Sequence, residues 1–426
     1  MPNQEYIKRE MFDKIAAHLE KPEITLLTGS RQVGKTVLLE QLKTYLADEK
    51  KVPSDAILWY NLDLIQDWEV FQSQSDFIEF LRGRSKNQKI YAFIDEAQKV
   101  SETARFFKGI YDSKLNIKFI LTGSSSLEIK AKLKETLAGR KRVFHIPSFT
   151  FYEFLSIKEI FLAECLKKGD PISEIDQKKL NSYYEEYLVF GGYPRVVISE
   201  SKEEKIAILR EIFSSYIEKD VVGFLEIKNK TAFSRMIKLL AAQIGQLVNI
   251  GELALHLGID RHTVERYILA LEETFVVRKI SPYFKNPRQE IIKAAKIYFL
   301  DSGIRNLAVG NFQSFPGRPD KGPILENGIC SDLLNLCESM SAELHFWRTK
   351  QKTEIDFVVE IGLEVLPIEA KSLLGKTTVL PPLKLFIEKF SPKKALVANL
   401  TFNNECIKYV NTEIRFIYPY QIKRNL

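Results

Sequence analysis

The 426-residue sequence has no run of 18 or more apolar residues, so no stretch of it reads as a membrane-spanning helix. Its first residues, Met1-Pro2-Asn3-Gln4-Glu5, lack the charged-then-apolar layout of an export signal, and a cytoplasmic protein is expected. Cysteine is scarce. Cys165, Cys330, Cys337 and Cys406 form no C-x-x-C pair and no metal-ligand spacing, which argues against a disulfide framework and for free, mostly buried thiols. Repeats and low-complexity tracts are absent too. Neither sign of charge dominates: 62 Lys plus Arg against 55 Asp plus Glu leaves +7, which permits nucleic-acid contact without demanding it. With 45% hydrophobic residues the chain is an ordinary folded protein, long enough at about 150 residues per domain for about three domains.

What is present is most specific at Gly29-Ser30-Arg31-Gln32-Val33-Gly34-Lys35-Thr36, a G-x-x-x-x-G-K-T phosphate-binding loop. The β-branched run Ile24–Thr28 precedes it and helix-forming sequence from Val37 follows, so the order is strand, glycine loop, helix. Backbone N–H groups of such a loop close around the β- and γ-phosphates of ATP, and the next helix points its positive end at them. Lys35 is expected to neutralise phosphate charge and the Thr36 hydroxyl to ligate Mg2+.

Lys89-Ile90-Tyr91-Ala92-Phe93-Ile94-Asp95-Glu96 is a buried-strand run ending in two acids. Asp95 is expected to hold magnesium through water and Glu96 to polarise the attacking water; a helix cap is the bland alternative. The next strand, Ile117–Leu121, runs into Thr122-Gly123-Ser124-Ser125-Ser126, which sets hydroxyls beside the acidic strand, although such clusters are commonly only turns. Lys130, Lys132, Lys134, Arg140, Lys141 and Arg142 then crowd one segment. A solvated helix face, a nucleic-acid contact and an arginine donated to a neighbouring subunit's transition state all suit them. Arg140 is the first candidate for such a finger, ahead of Arg142 and Arg195.

Further on, Leu137-Ala138-Gly139-Arg140, Phe190-Gly191-Gly192-Tyr193-Pro194 and Tyr216-Ile217-Glu218-Lys219-Asp220 complete a set that, with the loop, Phe93–Glu96 and Leu121–Ser126, resembles a prokaryotic AAA+ ATPase family. Its members carry a C-terminal domain of unknown function with a restriction-endonuclease-like core. The resemblance implies an α/β fold in four parts: a P-loop AAA+ core over 1–147, a helical lid over 148–235, a winged-helix domain over 236–312 and a restriction-endonuclease-like α/β domain over 313–426. It singles out Thr122 or Ser124 as a γ-phosphate sensor and implies a homo-oligomer.

Asn249–Ile268 has the grammar of a helix-turn-helix, with Gly258 in the turn and Asp260 as cap, and Phe275–Ile280 supplies strand for a wing. Arg261, His262 and Arg266 fall on the outer side of the second helix, where they suit DNA; a protein-docking role is the alternative, with Glu265 among them. Pro316–Pro323 reads as a linker. Beyond it, Asp356 and Glu369-Ala370-Lys371 lie on two strands in a D-x12-E-x-K pattern that resembles the active-site strands of restriction-endonuclease-like enzymes, with Glu326 as the helix acid before them.

A hairpin turning at Gly362 and Leu363 sets Asp356 opposite Glu369 and Glu354 opposite Lys371. Facing carboxylates repel, so a cation is expected between them: a divalent metal with Glu326, Asp356 and Glu369 as ligands, and Lys371 holding the nucleophilic water or the scissile phosphate. A plain Glu354–Lys371 ion pair is the alternative. Trp347 and Arg348 suit a phosphate backbone or mere solvation. The whole reads as a magnesium-dependent AAA+ ATPase acting on duplex, single-stranded or branched DNA through a nuclease-like domain, or as an ATP-switched binding factor whose domain does not cut.

Overall fold

A computed structural model describes residues 7–86, 88–123, 137, 139–215, 222, 227–284 and 295–426. Ser124, the lysines at 130, 132 and 134, and Tyr216–Asp220 lie outside them. The chain forms two compact units, the first taking in Met1–Phe149, Lys219–Glu226 and Glu273–Phe275, the second the remainder. Among the described residues no helix is long and apolar enough to cross a membrane.

The first unit is a five-stranded sheet in the order β2-β3-β4-β1-β5, from β1 (Ile24–Thr28), β2 (Ile57–Asn61), β3 (Ile90–Asp95), β4 (Ile117–Gly123) and β5 (Lys141–His145). Every pairing is parallel. Both β1 and β3 are buried along their whole length, which is why they read as continuous apolar runs rather than alternating ones. Ile24, Leu26, Ile94, Phe107, Phe119 and Leu121 share one core with Phe77 and Leu81. Three helices matter below: α1 (Phe12–His18), α2 (Lys35–Asp48) and α3 (Thr103–Asp112).

The second unit begins with helices, among them α4 (Glu174–Phe190), α5 (Ile250–Leu257) and α6 (Arg261–Glu273). The aromatics of the expected lid are core: Tyr184 is buried, edge-on to Phe151 at 5.0 Å. Gly258, in the left-handed region at φ 66°, ends α5, and Asp260 caps α6 through the Thr263 N–H at 2.9 Å. An antiparallel hairpin follows, β6 (Val277–Ile280) with β7 (Lys296–Phe299). Next come α7 (Ser302–Val309) and α8 (Lys321–Met340). Asp301 caps α7 through Ile304 N–H and also accepts the Gly192 N–H at 2.9 Å.

The stretch expected to be a linker is a packed corner instead. The Arg318 side chain is 0% exposed and donates to Asn311 O at 2.8 Å, Asn306 Oδ1 at 2.9 Å and Asp320. Arg305 joins the same Asp320 and reaches Ala241 O at 2.8 Å. Despite burial, the two guanidiniums hold the Asp320 carboxyl down to about 2. Proline and glycine advertised a loop there; the buried arginine decided otherwise.

The unit closes with a six-stranded mixed sheet in the order β12-β13-β11-β10-β9-β8. Its strands are β8 (Glu343–Arg348), β9 (Glu354–Ile361), β10 (Glu364–Lys371), β11 (Lys394–Asn399), β12 (Glu405–Tyr409) and β13 (Thr412–Ile417). Trp347, which by sequence suits a phosphate backbone or surface solvation, is buried edge-on against Phe386 at 5.3 Å, which fits neither. All four cysteines are free, with Cys330 and Cys337 buried, Cys165 half-buried and Cys406 exposed.

At the amino end of the first sheet, Lys118 is 0% exposed and its ammonium donates to Lys21 O at 3.0 Å and to Glu23 O, beside His18 Nδ1 at 3.3 Å. Burial holds Lys118 down to about 7, against 10.5 for a free lysine. Between those two pH values the unfolded chain carries a proton that the folded chain lacks, so stability rises with pH in that window. Thermal unfolding of the first unit followed from pH 7 to pH 9.5 is expected to show a larger upward shift of the midpoint in the wild type than in Lys118→Met.

Candidate functional site

Parallel pairing brings the carboxyl ends of β1, β3 and β4 to one edge of the sheet, and β4 stands between the other two. The phosphate loop leaves β1 at that edge. Gly29 has φ 154°, and a Cβ there would stand 2.2 Å from Ile146 O, so no other residue fits so close to the end of β5. Gly34, at φ 91°, turns the chain into α2. Lys35 is buried, with its ammonium donating back to Gly29 O at 3.0 Å and Ser30 O at 2.8 Å. Burial lowers it to about 8, with Glu96 and Asp95 pulling the other way. A buried ammonium held only by carbonyls is poised for an anion.

The Thr36 hydroxyl donates to Asp95 Oδ2 at 2.8 Å, and the Thr122 hydroxyl donates to Asp95 Oδ1. Thr122 Oγ1 in turn accepts the Glu96 N–H at 3.1 Å. Glu96 sits in the left-handed region at φ 56°, and its Oε2 accepts from Gln98 at 2.5 Å. A hydroxyl and a buried carboxylate held together beside the loop form the hard-oxygen pair that Mg2+ prefers, so these residues fit the ion. The structure thus unites Lys35, Thr36, Asp95, Glu96 and Thr122, drawn from segments up to 87 positions apart in the sequence.

Arg9 was not legible as a site residue. It is buried, donates to Val33 O and Pro147 O at 2.7 Å each, and lies over the Phe149 ring at 4.9 Å. It ties the Val33 carbonyl of the loop to the segment after β5. An arginine in an amphipathic segment carries no signal of this; only the fold brings residue 9 to residue 33.

Arg140 lies at the other edge. Ile24 N–H donates to its carbonyl at 2.9 Å, which puts it a full strand, roughly 16 Å, from Gly29, and its side chain pairs with Asp112 at 2.8 Å. At that distance Arg140 does not reach the loop of its own chain. Arg195 pairs with Glu211 at 2.8 Å, and Arg142 is exposed.

In the second unit the hairpin register matches the expectation. Pairing runs from Ile361–Glu364 to Phe357–Ile368, so Asp356 and Glu369 come next, and Ala370 N–H donates to Asp356 Oδ2 at 2.8 Å. The β8–β9 register shifts between His345 and Trp347, beside Asp356, as a bulge that re-aims a side chain would. The cation between the two acids is Lys371: its ammonium is 2.7 Å from Glu369 and 3.6 Å from Asp356. Burial, then the Asp356 charge, raises Glu369 well above the carboxylate range.

Glu326 is engaged elsewhere, by Lys296 at 3.1 Å and by the Tyr298 hydroxyl at 2.5 Å. Glu354 pairs with Lys296 at 2.5 Å and Arg348 at 2.7 Å rather than with Lys371. Among the described residues no three His, Cys, Asp or Glu side chains form a group that could hold a metal ion. The expected ligand set of Glu326, Asp356 and Glu369 is therefore not assembled, because two lysines stand among the carboxylates. Lys296 and Tyr298 come from β7, and no D-x12-E-x-K pattern includes them.

On α6, Arg261, His262 and Arg266 are all exposed, His262 at 98% of its side chain, while Val264, Tyr267 and Ile268 face the core. Glu265 is exposed beside them, 3.8 Å from His262.

Residues 21–155 match the family model described as an AAA domain. Residues 181–314 and 321–417 each match a domain of unknown function, DUF8612 and DUF4143. An uncharacterized protein of Haemophilus influenzae is 27% identical over 363 residues, covering 83% of this chain and 84% of its own. An uncharacterized protein of Methanocaldococcus jannaschii is 26% identical over 413 residues, 92% of this chain and 83% of its own. Among solved structures, the Aeropyrum pernix ORC2 protein in its ADP form aligns over 73% of this chain and 98% of its own, with 11% identity and a TM-score of 0.37. Along the chain, the match to an AAA domain is followed by one to DUF8612 and then by one to DUF4143.

Arg9→Ala is expected to weaken binding of a fluorescent ATP analogue about tenfold by freeing the Val33 carbonyl. Arg9→Lys, which keeps one donor, is expected to fall between. Equal affinity in all three proteins would remove the pinning role.

Proposed function

We propose that this chain is a magnesium-dependent ATPase of the AAA+ type that acts on DNA. The convergence of Lys35, Thr36, Asp95, Glu96 and Thr122 on one sheet edge carries the reading. On ATP binding Lys35 exchanges the carbonyls of Gly29 and Ser30 for the β- and γ-phosphates, and the amino end of α2 adds its dipole. When bound, Mg2+ neutralises charge on those phosphates. Thr36 and Asp95 would hold the ion between them. Glu96 polarises the attacking water, and Thr122 sets where Asp95 and the Glu96 backbone stand. Arg140 serves a neighbouring copy in a homo-oligomer, leaving Asp112 to do so.

Exposed Arg261, His262 and Arg266, on a helix that follows a glycine turn and precedes an antiparallel hairpin, support a winged helix that meets DNA. A second reading, an ATP-switched factor that binds without cutting, is favoured by the lysines neutralising the C-terminal carboxylates.

Steady-state turnover and ATP binding test the engine. Lys35→Ala is expected to lose both. Glu96→Gln is expected to bind ATP while losing about a hundredfold or more in turnover. Turnover unchanged in Glu96→Gln would refute its role. For DNA, Arg261→Ala and Arg266→Ala are each expected to make binding less salt-dependent, by about one unit of slope where the arginine meets a phosphate. Incubation with duplex, single-stranded and four-way-junction DNA in magnesium decides between the readings: cleavage that disappears in Glu369→Ala speaks for a nuclease, and intact binding without cleavage for the second.

A further inference from the structure

We propose that Lys296 is the resident cation of the C-terminal carboxylate cluster, a tethered ammonium that keeps Glu326 and Glu354 from ligating a divalent metal ion. This role is independent of the ATPase reading, and it bears on why the cluster would bind rather than cut.

The placement of Lys296 is the first ground. Its side chain is 1% exposed, and its ammonium lies 3.1 Å from Glu326 Oε1 and 2.5 Å from Glu354 Oε1. Tyr298, two residues along β7, donates to the same Glu326 oxygen. A lysine taken so fully out of water ordinarily loses its proton, yet Glu326, Glu354 and Asp356 keep this one charged.

The anchoring of its strand is the second. Lys296 pairs with Ile280 across the hairpin and bridges Leu247 on its other side, and Val248 N–H donates to Ala295 O at 2.9 Å. The strand that carries the ammonium is therefore fixed beside the cluster. Gly245 closes over Glu326 as well, so near that a Cβ there would stand 3.0 Å from the carboxylate. Little room is left for an ion with its water.

Charge balance is the third ground. Four carboxylates, Glu326, Glu354, Asp356 and Glu369, face three cations, Lys296, Lys371 and Arg348. Glu369 is 1% exposed, and its Oε1 lacks a hydrogen-bond partner as an ionised oxygen. Counted as ionised, the cluster carries one net negative charge. Adding a divalent ion would reverse that to one net positive charge among largely buried groups, which is costly. Removing Lys296 opens space between two carboxylates and leaves two net negative charges, which a divalent ion would match.

The test is Mn2+ binding, followed by calorimetry and by the electron paramagnetic resonance of free Mn2+, on the full chain without nucleotide. Wild type, Lys296→Met, Glu326→Gln and the double variant Lys296→Met with Glu326→Gln are compared. The wild type is expected to show no Glu326-dependent Mn2+ site. Lys296→Met is expected to acquire one, about tenfold or more tighter than any wild-type binding, with a melting temperature that Mn2+ raises. The double variant, which removes the charge pair together, is expected to fold and to lack the new site. Saturable Mn2+ binding by the wild type that disappears in Glu326→Gln overturns the proposal, whatever becomes of Lys296→Met. A folded Lys296→Met that binds Mn2+ no better than wild type overturns it as well.

Discussion

The Asp95 carboxylate is the point on which the nucleotide edge of the first unit depends. One of its oxygens accepts from Thr36, at the start of the helix that follows the phosphate loop; the other accepts from Thr122, at the end of the central strand. Both hydrogen bonds are made where β4 lies between β1 and β3, an order that sets the three strand ends side by side. Burial then gives them their force, because a carboxylate this far from water must be met by donors. Lys35 obeys the same rule with the opposite charge, folding onto two loop carbonyls.

The second unit meets buried charge with charges of its own chain. Its carboxylates are matched within the chain, by Lys371 from the hairpin itself and by Lys296 from β7. Strands distant in sequence thereby share one electrostatic unit, and the helix-turn-helix segment is joined to it through the hairpin that β7 completes. The Arg305–Asp320–Arg318 network treats buried charge in the same way at the start of α8. A buried ion pair of this kind adds little net stability, but removing one partner is expensive, so such networks hold their elements in a single arrangement.

Much of the candidate nucleotide site was legible because its sequence signals are local. A glycine loop between strand and helix, and two acids ending an apolar strand, are each complete within about eight residues. The hairpin around Gly362 was legible for a related reason: a two-residue turn sets the register, and register determines that Asp356 meets Glu369. Pro316–Pro323 misled because proline and glycine mark turns whether or not the turn is buried, and burial is a property of neighbours.

The order of residues alone specifies the loop, the acidic strand end, the helix-turn-helix grammar and the facing acids of β9 and β10, since backbone preference and side-chain alternation act over a few residues. What stands against those groups was settled by packing. Arg9 on the Val33 carbonyl, Thr122 between Asp95 and the Glu96 backbone, and Lys296 beside Glu326 meet across 24 to 30 positions of chain. The cause is desolvation: folding excludes water from a polar group, and the partner it then requires is whichever side chain packing has brought within reach.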